Sequence, residues 1–407
     1  MAIAIGAATV VIWVYLLCFR GGFWRLPYRP AAIVGEPPLR SVVAVVPARD
    51  EAATVGRAVA SLLAQDHRGD LHIIVVDDES SDGTAEVARA SAAMAGGAGR
   101  LTVCPGKPVP PGWTGKLWAM HQGVEAAKSQ PGSRQPDYLL LTDADIVHGP
   151  GNLRELVWRA ESGGHDLVSL MVELHCRSVW EMLLIPAFVF FFFKLYPPLW
   201  VADPSRRTAA AAGGCMLIRS STLDRIGGLA SIRREIIDDC ALARRVKSVG
   251  KLWLGPAAQA TSVREYRSWR PIWEMIARSA FAQLGYSPAM LALTVIALGL
   301  TYLAPPLLLL SSAAAARLCG GLAWLAMCIA YFPTLRAYSA SPLLGVLLPL
   351  IALFYIIATV DSALQFWRGR GGSWKGRFQA PGHLLSSPGS TRGSLDCRVK
   401  PGNDGNG

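Results

Sequence analysis

Two hydrophobic patterns divide this chain. At its start and in its last third, long runs carry no charge: residues 1–19, 287–316 and 337–360. Uncharged apolar runs of about 18 residues or more can cross the ~30 Å hydrocarbon layer of a bilayer, so each predicts a membrane-spanning helix. The run 318–335 lies at the lower limit. From Arg40 onward the apolar runs are short and alternate with segments of helical spacing. Residues 41–46, 71–76, 101–103 and 138–142 read as strands, the first of them β-branched and suited to burial on both faces. Residues 53–64, 84–94 and 117–128 read as helices. This alternation predicts an α/β domain with a mostly parallel sheet, and ligands beyond the carboxyl ends of its strands.

The apolar run 182–193 is short for a span and predicts an interfacial helix lying on a membrane, within a segment 182–200. Residues 1–19 lack a basic residue before the apolar run and a small-x-small cleavage site, so they predict an uncleaved anchor rather than a leader. Arg20, Arg25 and Arg29 follow that run, which places the next domain in the cytosol by the positive-inside rule. The expected organisation is an anchor (1–19), a linker (20–39), an α/β domain (40–270), a membrane region (287–367) and a basic tail (368–407) that is disordered at its end. Three spans after a cytosolic domain would leave that tail outside, yet Arg368, Arg370, Lys375 and Arg377 favour the cytosol. A re-entrant 318–335 would restore the parity.

Composition narrows the class. The 407 residues are 52% hydrophobic and only 17% charged, with a formal net charge of +11. The basic residues are spread out and form no nucleic-acid motif. Flanks facing anionic lipid account for them, and no nucleic-acid partner is expected. The eight cysteines never fall at C-x-x-C spacing, which argues against a disulfide or zinc framework.

The chemistry is concentrated in four acidic clusters: Pro47-Ala48-Arg49-Asp50-Glu51, Asp77-Asp78-Glu79-Ser80-Ser81-Asp82-Gly83, Asp143-Ala144-Asp145 and Asp238-Asp239. Any one could be a helix cap or a turn. Several at the strand ends of one domain place many like charges together, a costly arrangement unless a cation or hydrogen-bonding ligand compensates. A nucleotide sugar supplies such partners. Asp143 and Asp145 have the spacing to hold Mg²⁺ or Mn²⁺. Asp50, Asp77 and Asp78 can accept hydrogen bonds from a base and a ribose. Lys116, after the Gly112-Trp113-Thr114-Gly115 loop, can meet a diphosphate as a point charge. Sugar transfer to an alcohol needs a base for the hydroxyl proton, and Asp239 is the candidate. One displacement opposite the leaving group inverts the anomeric centre without a covalent nucleophile.

Together these motifs resemble family 2 glycosyltransferases, which have the GT-A fold. The resemblance runs from about residue 40 to 263. It implies donor contacts at Pro47, Asp50, Glu51, Asp77, Asp78 and Asp143, and a metal motif at Asp143 and Asp145. Gly213-Gly214-Cys215 resembles the acceptor-side glycine motif, and Asp238-Asp239 stands where the family usually has Glu-Asp. UDP is the donor nucleotide implied, with GDP and dTDP as alternatives. A narrower resemblance rests on Pro111-Gly112-Trp113-Thr114-Gly115-Lys116, on residues 278–288 from Arg278 through Gln283, and on Ser373-Trp374-Lys375-Gly376-Arg377. These look like bacterial hopanoid-biosynthesis-associated glycosyltransferases and imply a polycyclic triterpenoid lipid acceptor. Processive relatives carry Gln-x-x-Arg-Trp after the base. Here Arg278 and Gln283 stand on the acceptor side in another order, so transfer of one or a few sugars is expected.

The sequence therefore predicts a multi-pass enzyme of the bacterial inner membrane with a cytosolic catalytic domain. It would use a nucleotide-sugar donor and a lipid hydroxyl acceptor, with other lipid-biosynthesis enzymes as candidate protein partners. One rival is transfer to polyprenyl phosphate, an acceptor that is already an anion and does not need Asp239. Another is a non-catalytic membrane scaffold of a lipid-modifying complex.

Overall fold

The computed structural model describes residues 1–25, 33, 35, 38–129 and 135–369, with the backbone of 373–374 and 377–378. Part of the linker and most of the tail expected to be disordered lie outside the described residues, as do Lys375 and Gly376 of the tail motif.

The short apolar runs form strands because both of their faces are covered. The strands are β1 (Val42–Ala48), β2 (Leu71–Asp77), β3 (Leu101–Pro105), β4 (Tyr138–Thr142), β5 (Ile146–His148), β6 (Leu167–Glu173), β7 (Cys215–Arg219) and β8 (Leu252–Ser262). They make one sheet in the order β3-β2-β1-β4-β7-β6-β8-β5. β3, β2, β1 and β4 run parallel, as do β6 and β8, whereas β7 is antiparallel to β4 and β6 and β5 is antiparallel to β8. The expected mostly parallel α/β sheet is present. Its register brings Ala48 opposite Asp77 and Val45 opposite Leu141, so the acidic motifs leave three neighbouring strands at one edge.

The helices follow the sheet. α1 (Ala2–Cys18) precedes it, and α2 (Val55–Leu63), α3 (Thr84–Met94), α4 (Gly115–Lys128) and α5 (Asn152–Gly163) link its strands. Between β6 and β7 come α6 (Val179–Leu195) and α7 (Pro198–Ala202); between β7 and β8 come α8 (Ser220–Arg225) and α9 (Asp238–Lys247). After β8, α10 (Trp269–Gln283) leads to α11 (Pro288–Leu298), α12 (Ala304–Leu308), α13 (Ala314–Ala337) and α14 (Leu348–Trp367). The backbone of β9 (Ser373–Trp374) pairs antiparallel with β10 (Arg377–Phe378).

Alternation along each strand divides the packing. Val42, Ala44, Val46, Ile73 and Val75 pack with α2 and α3 residues on one face. Val43, Val45, Ile74, Val76, Leu139 and Leu141 face the other way, into a core that continues through Phe190 and Phe193 of α6 to Trp13, Tyr331 and Tyr355 of the apolar helices. The sheet and the apolar helices thus share a core. α4 lies directly on the sheet at Gly123, where a Cβ would stand 2.4 Å from Val45 Cγ1.

One expectation is corrected. The run 318–335 is part of α13, a continuous helix of 24 residues, and not a re-entrant hairpin. Arg317 and Arg336 bound the uncharged run, and the helix continues past both, to Ala314 and Ala337. The run 182–193 belongs to a longer apolar stretch. Val179–Ala202 joins Pro288–Leu308, Ala314–Ala337 and Leu348–Trp367 as four helical segments long and apolar enough to cross a membrane. α1 is shorter, 17 residues or about 26 Å. The N-terminus of α6 begins in a capping box between Ser178 and Glu181. The buried Glu181 carboxylate also accepts from the Tyr266 N–H and bonds His175, which ties α6 to the chain leaving β8.

Candidate active site

The loops after β1 and β2 are laced together. Asp50 and Glu79 both adopt left-handed backbone, unusual for residues other than glycine. Asp50 N–H donates to Ser80 Oγ, and Ser81 N–H donates back to Asp50 Oδ1 at 2.9 Å. Ala52 N–H reaches Asp82 Oδ2, and Glu51 N–H reaches Thr84 Oγ1. The two motifs are therefore one rigid rim. Pro47 lies in β1 beside Val76. The Asp77 carboxylate accepts from Ser80 N–H, and its carbonyl accepts from Gly106 N–H, where a Cβ would meet that carbonyl at 2.8 Å.

Most of the acidic residues singled out in the sequence meet a cation of the protein itself. Asp78 is fully buried and pairs with Arg49 at 3.5 Å, so its carboxylate is turned into the rim rather than toward a ligand. Asp143 Oδ1 takes Lys116 Nζ at 2.7 Å, and the same ammonium stands 3.9 Å from Asp238 Oδ2. Burial opposes the charge on Lys116, but Asp143, Asp238 and Asp239 outweigh it and raise its pKa. Asp145 Oδ2 accepts from Arg264 Nε at 3.0 Å and from Ser262 Oγ at 2.9 Å, and Arg264 Nη2 also binds Glu51. Internal cations thus compensate much of the acidic rim, alongside any ligand that the site takes.

The fourth cluster opens α9. Asp239 Oδ2 accepts from Gly213 N–H at 2.9 Å, and Oδ1 accepts from its neighbour Cys240 N–H at 2.6 Å. Burial, then the adjacent Asp238 carboxylate, raise the Asp239 pKa to about 6 against the pull of these donors and of Lys116. Asp238 Oδ2 is buried without a hydrogen-bond partner. Lys116 thus stands between Asp143 and the Asp238-Asp239 pair, joining two motifs far apart in sequence.

Gly213 and Gly214 lead into β7 beside the end of β4. A Cβ on Gly213 would stand 3.4 Å from Asp239 Oδ2 and 3.6 Å from Lys116 Nζ. Thr142 Oγ1 donates to Gly214 O, and so must accept from His148 Nε2–H; His148 Nδ1 in turn accepts from Asn152. Burial lowers the His148 pKa to about 4, in keeping with this neutral imidazole. Cys215 is buried in β7, its thiol pushed up to about 12 by burial, and belongs to packing rather than to the cleft. Gln283 lines a cavity of about 240 Å³ with Arg234, Glu235, Ile237, Arg244 and Tyr286, just before Asp238. Arg278 lies on the exposed side of α10.

Among the described residues no cluster of three or more His, Cys, Asp and Glu side chains could hold a metal unaided. Asp143 and Asp145 do fit a hard divalent ion of the kind bound through one or two carboxylates, with water and substrate phosphate completing its shell. Sequence reasoning missed Arg49, Ser262 and Arg264. A basic residue just beyond β8 was the one visible signal for Arg264.

Residues 37–278, more than half of the chain, match the family described as "Glycosyltransferase like family 2". Among solved structures, the mannosyltransferase PcManGT from Pyrobaculum calidifontis, in complex with GDP-Man and Mn²⁺, is similar at a TM-score of 0.57 and 18% identity, covering 89% of this chain and 99% of that one. S. aureus TarS 1–349, in complex with UDP-GlcNAc, aligns at a TM-score of 0.39 and 12% identity, covering 81% of this chain and 92% of that one. No curated protein sequence matches significantly.

Proposed function

The chain belongs to glycosyltransferase like family 2, and from that premise we propose that it transfers a single sugar from a nucleotide sugar to a lipid hydroxyl, with inversion. The observation that carries this reading is Asp239: a carboxylate held by two backbone N–H groups, with its pKa raised to about 6, across Lys116 from the Asp-x-Asp motif. A base poised near the working pH accepts the acceptor proton as the oxygen attacks. Gly213 leaves room for that oxygen beside Asp239 and Lys116. Asp50, Glu51 and Asp77 on the laced rim are the donor-nucleotide contacts, with Pro47 beneath them. Asp78 serves by fixing Arg49 in the rim. Mg²⁺ or Mn²⁺ held by Asp143 and Asp145 would neutralise charge on the departing diphosphate.

The acceptor reaches the site from the membrane. The cavity between the loop before α9 and the end of α10 is lined by Gln283 and by Ile237, the residue before Asp238, and Arg278 lies on the same helix as Gln283. The motif resemblance supports a polycyclic triterpenoid alcohol, and a UDP-sugar as donor. α6 lies along the bilayer surface in this reading. It leaves β6 and returns to β7, neighbouring strands paired Ser169 to Met216. A crossing by α6 would force residues 203–214 back through hydrocarbon without helical hydrogen bonds. With α1 and the helices after α10 as membrane segments, the catalytic domain faces the cytosol of a bacterial inner membrane.

A second reading has its own observation. Arg234 and Arg244 line the same cavity and suit an anionic acceptor such as polyprenyl phosphate. Nucleoside-diphosphate release by detergent-purified protein separates the two. It is measured with a panel of nucleotide sugars and lipid extract, with Mg²⁺, Mn²⁺ or chelator. Asp239→Asn is expected to cut turnover with a hydroxyl acceptor by about 10²- to 10⁴-fold while donor binding persists. A small effect of that variant would favour the phosphate acceptor. Failure of folded protein to bind or consume any donor would leave the scaffold as the better account.

A further inference from the structure

We propose that Arg264 is the resident counter-cation of the Asp-x-Asp motif and exchanges with the divalent ion, so that the metal enters only together with the donor diphosphate. This rests on the nucleotide-sugar reading of the site. Backbone pairing puts Arg264 where it is. Ile146, one residue beyond the motif, pairs with Ser262 at the end of β8, and Val263 N–H donates to Asp145 O at 2.9 Å. The next side chain must therefore emerge beside Asp145.

Its guanidinium binds two carboxylates from two different strand ends. Nε meets Asp145 Oδ2, and Nη2 meets Glu51 Oε1 beyond β1. The side chains of Asp145 and Glu51 are only 9% and 10% exposed, whereas that of Arg264 is 35% exposed. The cation is thus the outer member of the cluster and the carboxylates lie under it. Ser262 Oγ holds the same Asp145 oxygen, which presets that carboxylate for the guanidinium fork.

The consequence is a competition. Glu51, Asp145 and Arg264 together carry one net negative charge, and Lys116 similarly offsets Asp143. A divalent ion arriving alone must displace a tethered guanidinium from the oxygens it needs. An ion arriving with a diphosphate brings its own oxygen ligands, and the diphosphate offers the displaced guanidinium a partner that it recognises well. Metal and nucleotide binding are then mutually dependent, by the same factor in each direction. Shared diphosphate oxygens give some coupling by themselves, so the mark of the exchange is a metal-alone affinity that rises when Arg264 is replaced.

The test measures Mn²⁺ binding to the full-length, detergent-purified protein by electron paramagnetic resonance, alone and with UDP, GDP or dTDP. For the wild type, the expected result is weak binding of Mn²⁺ alone, tightened at least tenfold by one nucleoside diphosphate. Arg264→Met should bind Mn²⁺ alone at least tenfold more tightly than the wild type, with less tightening by nucleotide. Removing one partner of a part-buried pair can unfold a protein, so Arg264→Lys is the second variant. It keeps the charge but loses the fork, and should shift the same way by at least threefold. Equal Mn²⁺ affinity in the wild type and a folded variant overturns the exchange. If nucleotide binds but Mn²⁺ binds nowhere, the metal reading falls and takes the exchange with it. If no nucleotide binds, the donor reading itself has failed.

Discussion

Neutralising Asp238 should move the acid side of the pH–rate profile downward. Asp239 works as a base only when ionised, and its pKa stands near 6 rather than the ordinary 3.8. Activity should therefore be full well above pH 6 and fall as the pH drops through about 6. Burial is the larger cause of the rise and the Asp238 charge the second. Asp238→Asn removes that repulsion. It also takes away one of the carboxylates competing for Lys116, whose ammonium stabilises ionised Asp239. Both effects have the same sign, so the midpoint should fall. A fall of about one unit would raise the ionised fraction at pH 5 from about a tenth to about a half, a roughly fivefold gain in rate relative to its plateau. The assay is initial nucleoside-diphosphate release from pH 4.5 to 8 with donor and acceptor saturating. An acid limb that stays in place or moves upward in a folded Asp238→Asn protein would refute this electrostatic account. A wild-type profile with no limb near 6 would refute the assignment of the base.

Two further predictions follow from the packing around the same residues. Lys116→Met should shift the acid limb in the opposite direction, above the wild-type midpoint, because ionised Asp239 loses a favourable charge; an unchanged midpoint would show that Lys116 acts on the donor alone. Gly123→Ala should lower the melting temperature through about 1–3 kcal/mol of overpacking, since its Cβ would lie 2.4 Å from Val45 Cγ1 with Val76 behind it. A melting temperature at or above that of the wild type would mean that α4 can lift from the sheet without loss.

Much of the fold was legible in local patterns. Continuous apolar runs of Val and Ala from position 42, Ile and Val from 73, and Tyr and Leu from 138 specify strands covered on both faces, and the helix Thr84–Met94 matches its expected bounds. The acidic motifs could be read as strand-end features because each lies just beyond an apolar run. The lengths of α6 and α13 were less legible. Charged residues and prolines at the margins of an apolar run do not say whether a helix continues, and packing against neighbouring helices settles it.

The sequence by itself determined a family 2 glycosyltransferase with an α/β sheet, acidic strand ends and long apolar helices, because these depend on composition and spacing within short windows. Only the tertiary structure decided which charges meet. Arg264 lies 119 positions from Asp145 and 213 from Glu51, and Lys116 reaches both Asp143 and Asp238. These pairings exist because the strand order β2-β1-β4-β7 and the β5–β8 pairing bring distant chain segments to one edge of the sheet. Coulomb interactions depend on separation in space and on burial, and neither quantity can be read from separation along the chain.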